Sequence, residues 1–201
     1  MIGWLYDLVS ARSEKKGMAD LRRRLLASLE GEVVEIGAGT GLNLASYERA
    51  VRVVAVEPDP GMAKRLTTRA AAARPAAEVV AASAEALPFT DASFDAAVST
   101  FVLCSVADPA AALAEIHRVL RPGGSLVLLE HVRGAGRAAR WQDRLTPFHR
   151  SVMGNCHLNR DTFAAVEAAG FETSGVVRAE LPGEPALYRA GILGVATRIS
   201  S

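Results

Sequence analysis

Three glycines placed directly after a short apolar run constrain this chain more than any other feature. Val33-Val34-Glu35-Ile36 is typical of a buried strand, and it leads into Gly37-Ala38-Gly39-Thr40-Gly41. Because glycine has no Cβ, such a loop lets the backbone pass close to a ligand. The N–H groups at the start of a following helix attract negative charge. The pattern therefore predicts a strand, a ligand-binding loop and a helix over 42–49.

The rest of the chain alternates between the two hydrophobic periodicities. Helical spacing of apolar residues predicts helices over about 17–29, 61–74 and 109–120, and a further helix that Asn159 caps and Gly170 ends. Short apolar runs predict strands, which fall at 33–36, 52–57, 78–81, 94–99, 125–132, 171–179 and 186–197. This order predicts an α/β fold with a doubly wound, mostly parallel sheet of seven strands and one antiparallel terminal strand.

The length of 201 residues fits one domain over 1–201, large enough to bury roughly 70% of the unfolded surface. We expect residues 1–30 to form an amino-terminal helical cap. Residues 133–158 contain no clear strand, so we expect loops and a short helix there, as a substrate-side insertion. Met1–Val9 is apolar, too short to span a bilayer and unlike a signal peptide. We predict that it forms a helix that packs over the active site, as a candidate lid, or over the core, with peripheral membrane contact as the alternative.

Charge and cysteine usage exclude several classes of protein. The net charge of +1 gives no indication of a nucleic-acid partner, and Arg22-Arg23-Arg24 is expected to be one solvated helix face. Cys104 and Cys156 belong to no CxxC pair, which favours a reducing cytoplasm and a filler role for both thiols. His157 beside Cys156 supplies two ligands without a partner pair, so no metal site is predicted.

The glycine loop alone does not identify its ligand, but two other residues narrow the choice. A dinucleotide fingerprint needs a third glycine at the sixth position from Gly37, where this chain has Leu42. Glu57 ends the second predicted strand, and a carboxylate there accepts the hydroxyl protons of a ribose. Leu42 disfavours an NAD-dependent oxidoreductase, while Glu57 supports an adenosine ligand of either kind.

Five motifs in order carry a family resemblance. After the glycine loop and Glu57 come Ala84-Glu85-Ala86-Leu87-Pro88-Phe89, Phe94-Asp95-Ala96-Ala97 and Leu120-Arg121-Pro122-Gly123-Gly124. The chain thereby resembles the ubiquinone-biosynthesis-type (methyltransferase 11) group of class I methyltransferases. That resemblance implies a Rossmann-like fold, S-adenosyl-L-methionine as methyl donor and S-adenosyl-L-homocysteine as product. The cofactor-binding residues that it implies are Glu35, Gly37, Ala38, Gly39, Gly41, Asn43, Glu57, Pro58, Met62, Ser83, Ala84, Glu85 and Thr100.

Two of these positions carry qualifications. Ser83 stands where the family usually has an Asp that meets the adenine amino group, so the adenine contact is expected to rely more on the Ala84 backbone. Met62 matches an apolar residue that packs on the adenine, and a place in the helix core is the alternative.

The downstream half is similar to the thiol S-methyltransferase-like branch of the group. The matching tracts are Ser99–Val106, Leu129–Val132 and Asn155–Arg160, with Trp141, Gln142 and Pro147 between them. The resemblance implies methyl transfer by in-line displacement to a small apolar nucleophile, with a thiol favoured. The alternatives are O-, N- or C-methylation of a quinone, a phospholipid head group or a secondary metabolite, and a non-catalytic member that only binds the cofactor.

The acceptor decides whether a base is needed. A thiol ionises near neutrality and is nucleophilic at once, whereas a hydroxyl needs a general base. His131, at the end of the fifth strand, is the predicted catalytic residue, and a structural histidine is the alternative. Further candidates for the base are His149, His157 and Asp143. The apolar residues expected to line an acceptor pocket are Phe101, Val102, Leu103, Trp141 and Phe148.

Overall fold

The computed structural model describes residues 3–152 and 155–199, and within them eight strands form one sheet. The strands are β1 (Glu30–Ile36), β2 (Arg49–Val56), β3 (Ala77–Val80), β4 (Phe94–Thr100), β5 (Leu120–His131), β6 (Phe171–Glu172), β7 (Val176–Glu180) and β8 (Ala190–Arg198). Their order is β3-β2-β1-β4-β5-β8-β6, with β7 also on β8. Strands β1 to β5 are parallel and β8 runs antiparallel to its neighbours, so the predicted doubly wound architecture is confirmed.

The predicted count of seven strands is wrong by one because the strand expected over 171–179 is interrupted. Residues 173–175 lie between β6 and β7. At the interruption the backbone of Gly175 comes close to β8, where Val195 N–H donates to Gly175 O at 3.2 Å. Both short strands still pair with β8, so the break leaves the topology unchanged.

The helices follow local start signals. They are α1 (Gly3–Ser13), α2 (Ala19–Leu26), α3 (Pro60–Ala72), α4 (Pro109–Val119), α5 (Gly136–Val152) and α6 (Thr162–Ala168). The carboxylates of Asp59 and Asp108 accept the first free N–H groups of α3 and α4, each followed by a proline suited to the first helical position. Asp161, and not the predicted Asn159, caps α6. Among the described residues, no helix has the length and apolar character needed to cross a membrane.

The helix predicted over 42–49 does not form. A single 3-10 turn, Leu44–Ser46, replaces it, and β2 already begins at Arg49. The side chain of Tyr47 is buried, and its hydroxyl donates to Glu35 Oε2 at 2.8 Å. This bond draws the chain back against β1 before a helix could continue.

Helix α5 is longer than the short helix predicted among loops over 133–158. Its inner face is polar, so apolar periodicity could not reveal its length. Its buried positions at helical spacing are Ala139, Gln142, Thr146 and His149. Gln142 accepts from Gly134 N–H and donates to Leu187 O, both at 2.8 Å. These bonds satisfy the buried amide and replace the apolar contacts that usually hold a helix.

Two apolar clusters lie on opposite faces of the sheet. One contains residues of α4 and α6 against β1, β4 and β5, and the other contains residues of α2 and α3 against β1 and β2. Successive residues of a strand point to opposite faces, so Val33 belongs to one cluster and Val34 to the other. The two layers leave the carboxyl ends of the parallel strands uncovered.

Gly194 provides a test of how β8 is joined to its neighbours. Its φ is +133°, and a Cβ there would lie 2.1 Å from Gly175 O. We expect Gly194→Ala to lower the free energy of unfolding by about 3 kcal/mol or more, from backbone strain and overpacking. Gly123→Ala is the matched control, because φ is +74° there and no atom lies within 4 Å of the added Cβ. It should cost about 1 kcal/mol. Equal losses for the two variants in urea titrations would contradict this account.

Candidate functional site

A cleft of about 1610 Å³ lies beyond the carboxyl ends of the parallel strands. The register of the sheet pairs Ile36 with Val56 on one side and with Ser99 on the other. The residues that follow these strand ends are therefore neighbours in space. The order β2-β1-β4 reverses the direction of winding at this point, and such a switch point is where doubly wound sheets bind ligands.

The glycine loop borders this cleft in the conformation that its composition predicts. Gly37 and Gly39 have φ of +58° and +60° and both line the cleft. A Cβ on Gly37 would lie 2.7 Å from Val102, so only glycine fits there, whereas at Gly39 the nearest atom would be 4.0 Å away. Gly41 lines neither described cavity. A Cβ there would lie 3.0 Å from the side chains of Leu44 and Leu66, so Gly41 belongs to the packing beneath the loop.

Glu57 lies at the edge of the cleft and holds the loop in place. Its Oε2 accepts from Gly39 N–H and its Oε1 accepts from Asp59 N–H, both at 2.8 Å. Burial raises the pKa of Glu57, and the two backbone hydrogen bonds oppose that rise. The carboxylate therefore both organises the loop and presents acceptor oxygens to the cleft.

The adenine-side residues that the resemblance implies also line the cleft. They are Pro58, Met62, Ser83, Ala84 and Glu85. The Ser83 hydroxyl donates to Glu85, and Glu85 Oε1 accepts from Ala107 N–H at 2.9 Å, just before α4. Glu85 thus fixes the start of α4 against the cleft, a part that the motif alone did not reveal.

A smaller cavity behind the glycine loop is lined by Glu35, Ala38 and Asn43. Asn43 Nδ2 donates to Glu35 Oε1 at 2.9 Å and to Thr100 Oγ1 at 3.0 Å. Thr100 lines this cavity and the main cleft. Burial raises the pKa of Glu35 to about 7, although the hydrogen bonds from Tyr47 and Asn43 oppose the rise.

Arg22 corrects the expectation of a solvated arginine face. Only Arg23 and Arg24 are exposed, whereas Arg22 is buried and lines both cavities. Its Nη1 donates to Asn43 Oδ1 at 2.9 Å and its Nε to Glu14 at 3.1 Å. Sequence reasoning missed this buried cation because its two neighbours are ordinary surface arginines.

Helix α1 lies over the glycine loop. Asp7 accepts from Thr40 Oγ1 at 2.6 Å and from Arg69 Nη2 at 2.8 Å, and Arg69 also donates to Thr40 O. Leu5, Tyr6 and Val9 of this helix line the cleft. The described part of the segment Met1–Val9 therefore lines the cleft, while residues 1 and 2 lie outside the described residues.

His131 lies at the other end of the cleft. Its ring stacks on Phe101 with centroids 4.3 Å apart and meets the edge of Tyr188 at 5.6 Å. It is 9% exposed, and the Cys104 thiol interacts with the ring, but among the described residues neither ring nitrogen makes a hydrogen bond of regular geometry. Burial lowers the pKa of His131, but the neighbouring thiol and carboxyl groups outweigh burial and raise it.

The two cysteines meet beside His131. Cys104 and Cys156 line the cleft with their sulfur atoms 3.6 Å apart, although 52 positions separate them in the sequence. His157 N–H donates to Cys104 O at 2.7 Å, and Asn155 Nδ2 donates to Ser105 O at 2.8 Å. These bonds join the two cysteine-bearing segments, so the thiols are more than the isolated fillers that the sequence predicts.

Several other predicted acceptor-side residues lie elsewhere. Phe101 and Val102 line the cleft, but Leu103 is in the core, and Trp141 and Phe148 are exposed on α5 outside it. Their outward direction follows from the polar inner face of that helix.

The remaining base candidates have other contacts. Asp143 forms an exposed ion pair with Arg133 at 2.7 Å, outside the cleft. His157 is also outside the cleft lining, whereas His149 lines it. His149 Nδ1 donates to Cys156 O at 3.0 Å, and its Nε2 accepts from the Tyr188 hydroxyl. His149 therefore positions the cysteine segment.

Glu130 is a further residue that the sequence reasoning missed. Its Oε1 accepts from Ser99 Oγ at 2.7 Å and from the N–H groups of Val102 and Leu103 at 2.9 and 3.1 Å. It thereby holds the turn after β4 that leads to Cys104. The sequence signal that could have revealed it is the position of Glu130 near the end of an otherwise apolar strand.

Comparison with known proteins identifies the family. The methyltransferase-domain family matches residues 34–128. Thiol S-methyltransferase TMT1B of Rattus norvegicus is 35% identical over 181 residues, covering 84% of this chain and 74% of that protein. Thiol S-methyltransferase TMT1A of Homo sapiens is 32% identical over 194 residues, covering 90% and 80%.

Solved structures agree on the fold. Geranyl diphosphate methyltransferase in complex with SAM superposes with a TM-score of 0.73 at 18% identity, covering 92% of this chain and 85% of that one. The [4+2]-cyclase SpnF gives a TM-score of 0.72 at 19% identity, covering 92% and 81%. Because a cyclase shares the fold, the architecture alone does not fix the reaction.

The role of Glu57 is tested by its removal. We expect Glu57→Ala to weaken the binding of S-adenosylhomocysteine at least tenfold, because each hydrogen bond to a charged group contributes about 1.5–3 kcal/mol. Isothermal titration calorimetry measures the affinity. Glu78→Ala is the control, since Glu78 is an exposed acid paired with Arg52 away from the cleft. Unchanged affinity in Glu57→Ala would show that the carboxylate holds no ligand.

The pKa of Glu35 predicts a pH dependence of stability. The folded value of about 7 lies above the ordinary 4.5, so the folded state binds more protons between these values. Stability should fall as pH rises through this window and remain lower above it. Glu35→Gln should lose the effect, shrinking the stability difference between pH 5 and pH 8 by about 2 kcal/mol in urea titrations. Glu30→Gln, at an exposed acid of the same strand, should keep the wild-type difference. If Glu35→Gln kept the same stability difference between pH 5 and pH 8 as the wild type, Glu35 would not be the source of the pH dependence.

Proposed function

The chain belongs to the S-adenosylmethionine-dependent methyltransferase family that includes the thiol S-methyltransferases, and from this premise we propose that its acceptor is a small apolar thiol. The observation that carries the proposal is the extent of the similarity. A match over 84% of the chain includes the glycine loop and also the segments that supply His131, Cys104 and Cys156 to the cleft. Similarity confined to the cofactor half would not bear on the acceptor.

The cleft fits the methyl donor. Gly37 and Gly39 let the backbone border the cleft without side chains, and Glu57 offers carboxylate oxygens to ribose hydroxyls there. We assign the adenine to the space among Met62, Ser83 and Ala84. Arg22, a buried cation at the glycine-loop end, suits the carboxylate of the methionine part. When bound, the donor supplies a methyl group already activated on a sulfonium sulfur.

The protein then has two tasks, alignment and exclusion of water. We propose that the chain is a single domain in which the predicted amino-terminal cap covers the donor end, where Leu5, Tyr6 and Val9 of α1 line the cleft. The insertion over 133–158 supplies His149 and Cys156 to the acceptor end. We propose that these two segments close the cleft around both reactants.

The acceptor end suits a sulfur nucleophile. Two thiols, an imidazole and the rings of Phe101 and Tyr188 surround the space into which the acceptor would enter. These groups are apolar or polarisable, and a thiol is nucleophilic without a strong base. We assign to His131 the catalytic contact with the nucleophile. A reducing compartment such as the cytoplasm would keep Cys104 and Cys156 as thiols.

A methyl-transfer assay tests the acceptor. The protein is incubated with isotopically labelled S-adenosylmethionine and matched alkyl thiols, phenols and amines, and labelled products are identified by mass spectrometry. We expect label on the thiols, and activity that falls at least tenfold in Glu57→Ala because donor binding is lost. Glu78→Ala should keep wild-type turnover. Label on phenols or amines alone would refute the thiol proposal and favour O- or N-methylation.

A further inference from the structure

Three potential metal ligands converge at the acceptor end of the cleft. Among the described residues, Cys104 Sγ, Cys156 Sγ and a ring nitrogen of His131 all lie within 4.8 Å of one another. All three side chains line the cleft and are at most 9% exposed. Sequence spacing does not indicate this group, because His131 is far along the chain from both cysteines.

The spacing is that of ligands around one ion. Two thiolates bound tetrahedrally at about 2.3 Å from zinc are held about 3.8 Å apart. The two sulfur atoms here are 3.6 Å apart, where the Cys156 thiol donates to Cys104 Sγ. Thiolate and imidazole together are the donors that zinc prefers.

The imidazole of His131 provides an independent observation. Buried polar atoms normally have hydrogen-bond partners, since an unpaired one costs free energy. The Cys104 thiol interacts with the imidazole of His131, but neither Nδ1 nor Nε2 makes a hydrogen bond of regular geometry, although the ring is fixed between Phe101 and Tyr188. A cation bound between the ring and the two sulfur atoms would satisfy one of these nitrogens.

Hydrogen bonds from neighbouring residues hold the two cysteine ligands in position. The main-chain bond from His157 N–H to Cys104 O and the bond from His149 Nδ1 to Cys156 O fix both cysteine backbones. Glu130 fixes the turn that leads to Cys104. Outer contacts of this kind orient ligands before the ion binds.

We propose that Cys104, His131 and Cys156 bind a zinc ion whose fourth coordination position faces the cleft. Three protein ligands with an open position are typical of catalytic zinc sites, whereas structural sites have four. As ligands, the two thiolates neutralise the ion, and a third, exogenous thiolate gives the site a net negative charge. That charge keeps the entering sulfur nucleophilic.

Zinc defines a more specific role for His131 in the proposed thiol methylation, on which this step rests. The acceptor R–SH binds at the open position and releases its proton to solvent. Its sulfur then forms the bond to the methyl carbon, while the sulfonium sulfur keeps the electron pair of the bond that breaks. The products are a neutral thioether, which leaves the zinc, and S-adenosylhomocysteine. No oxidation state changes.

Metal analysis of the full chain tests the site. After treatment with a chelating resin, we expect about one zinc per chain by inductively coupled plasma mass spectrometry. Replacement with Co²⁺ should give the intense visible bands of a tetrahedral site and a thiolate-to-cobalt charge-transfer band. Cys156→Ser and His131→Gln should each bind zinc at least tenfold more weakly. His117→Gln is the control histidine, since His117 contacts Phe171 outside the cleft and that variant should keep its zinc.

Binding of S-adenosylhomocysteine by calorimetry establishes that each variant is folded. Zinc content no higher in the wild type than in a folded Cys104→Ser/Cys156→Ser double variant would overturn the site. Addition of an alkyl thiol should shift the cobalt spectrum, whereas a phenol should not. An unchanged spectrum on thiol addition would overturn thiol coordination. Stoichiometric zinc together with methylation of amines alone would support the metal site and refute the proposed function, so the two failures are distinguishable.

Discussion

Main-chain hydrogen bonds between β1 and its two parallel neighbours set Ile36 beside both Val56 and Ser99. Because parallel strands end at the same edge, this register delivers the glycine loop, Glu57 and Thr100 to one place. The cleft depends on it more than on any side-chain contact. A slip of one residue would turn these side chains to the other face of the sheet.

The side chains behind the glycine loop form a second layer of support. Arg22 donates to Asn43, Asn43 donates to Glu35, and Tyr47 donates to the other oxygen of Glu35. A buried charged network is stabilising only when its members are satisfied. Here the hydrogen bonds connect the amino-terminal helices, β1 and the turn before β2, so the network specifies how these segments pack around the loop.

The sequence predicted the sheet well, and it named residues that lie together around the glycine loop, because both signals are local. The glycine spacing, the acid at Glu57 and the aspartate–proline helix starts at Asp59 and Asp108 each act within a few residues. It predicted only a short helix where α5 forms, because the polar inner face of α5 gives no apolar periodicity, and it was wrong for the turn at 44–46, where the buried Tyr47 prevents a helix. Arg22 was missed because burial of one arginine among three depends on distant residues.

The bonds between the turn after β4 and the segment that carries Cys156 have a consequence for the order of assembly. Gly39 and Glu57 are 18 positions apart, whereas the contacts of Leu103 with Arg160 and of Ser105 with Asn155 span 57 and 50. Closing the longer loops costs more chain entropy before any contact compensates for it. The bond between Gly39 and Glu57 is thus a short-range closure, whereas the bonds that join the two cysteine segments are long-range closures. Local opening should therefore separate the cysteine segments at a lower free energy than it breaks the bond between Gly39 and Glu57.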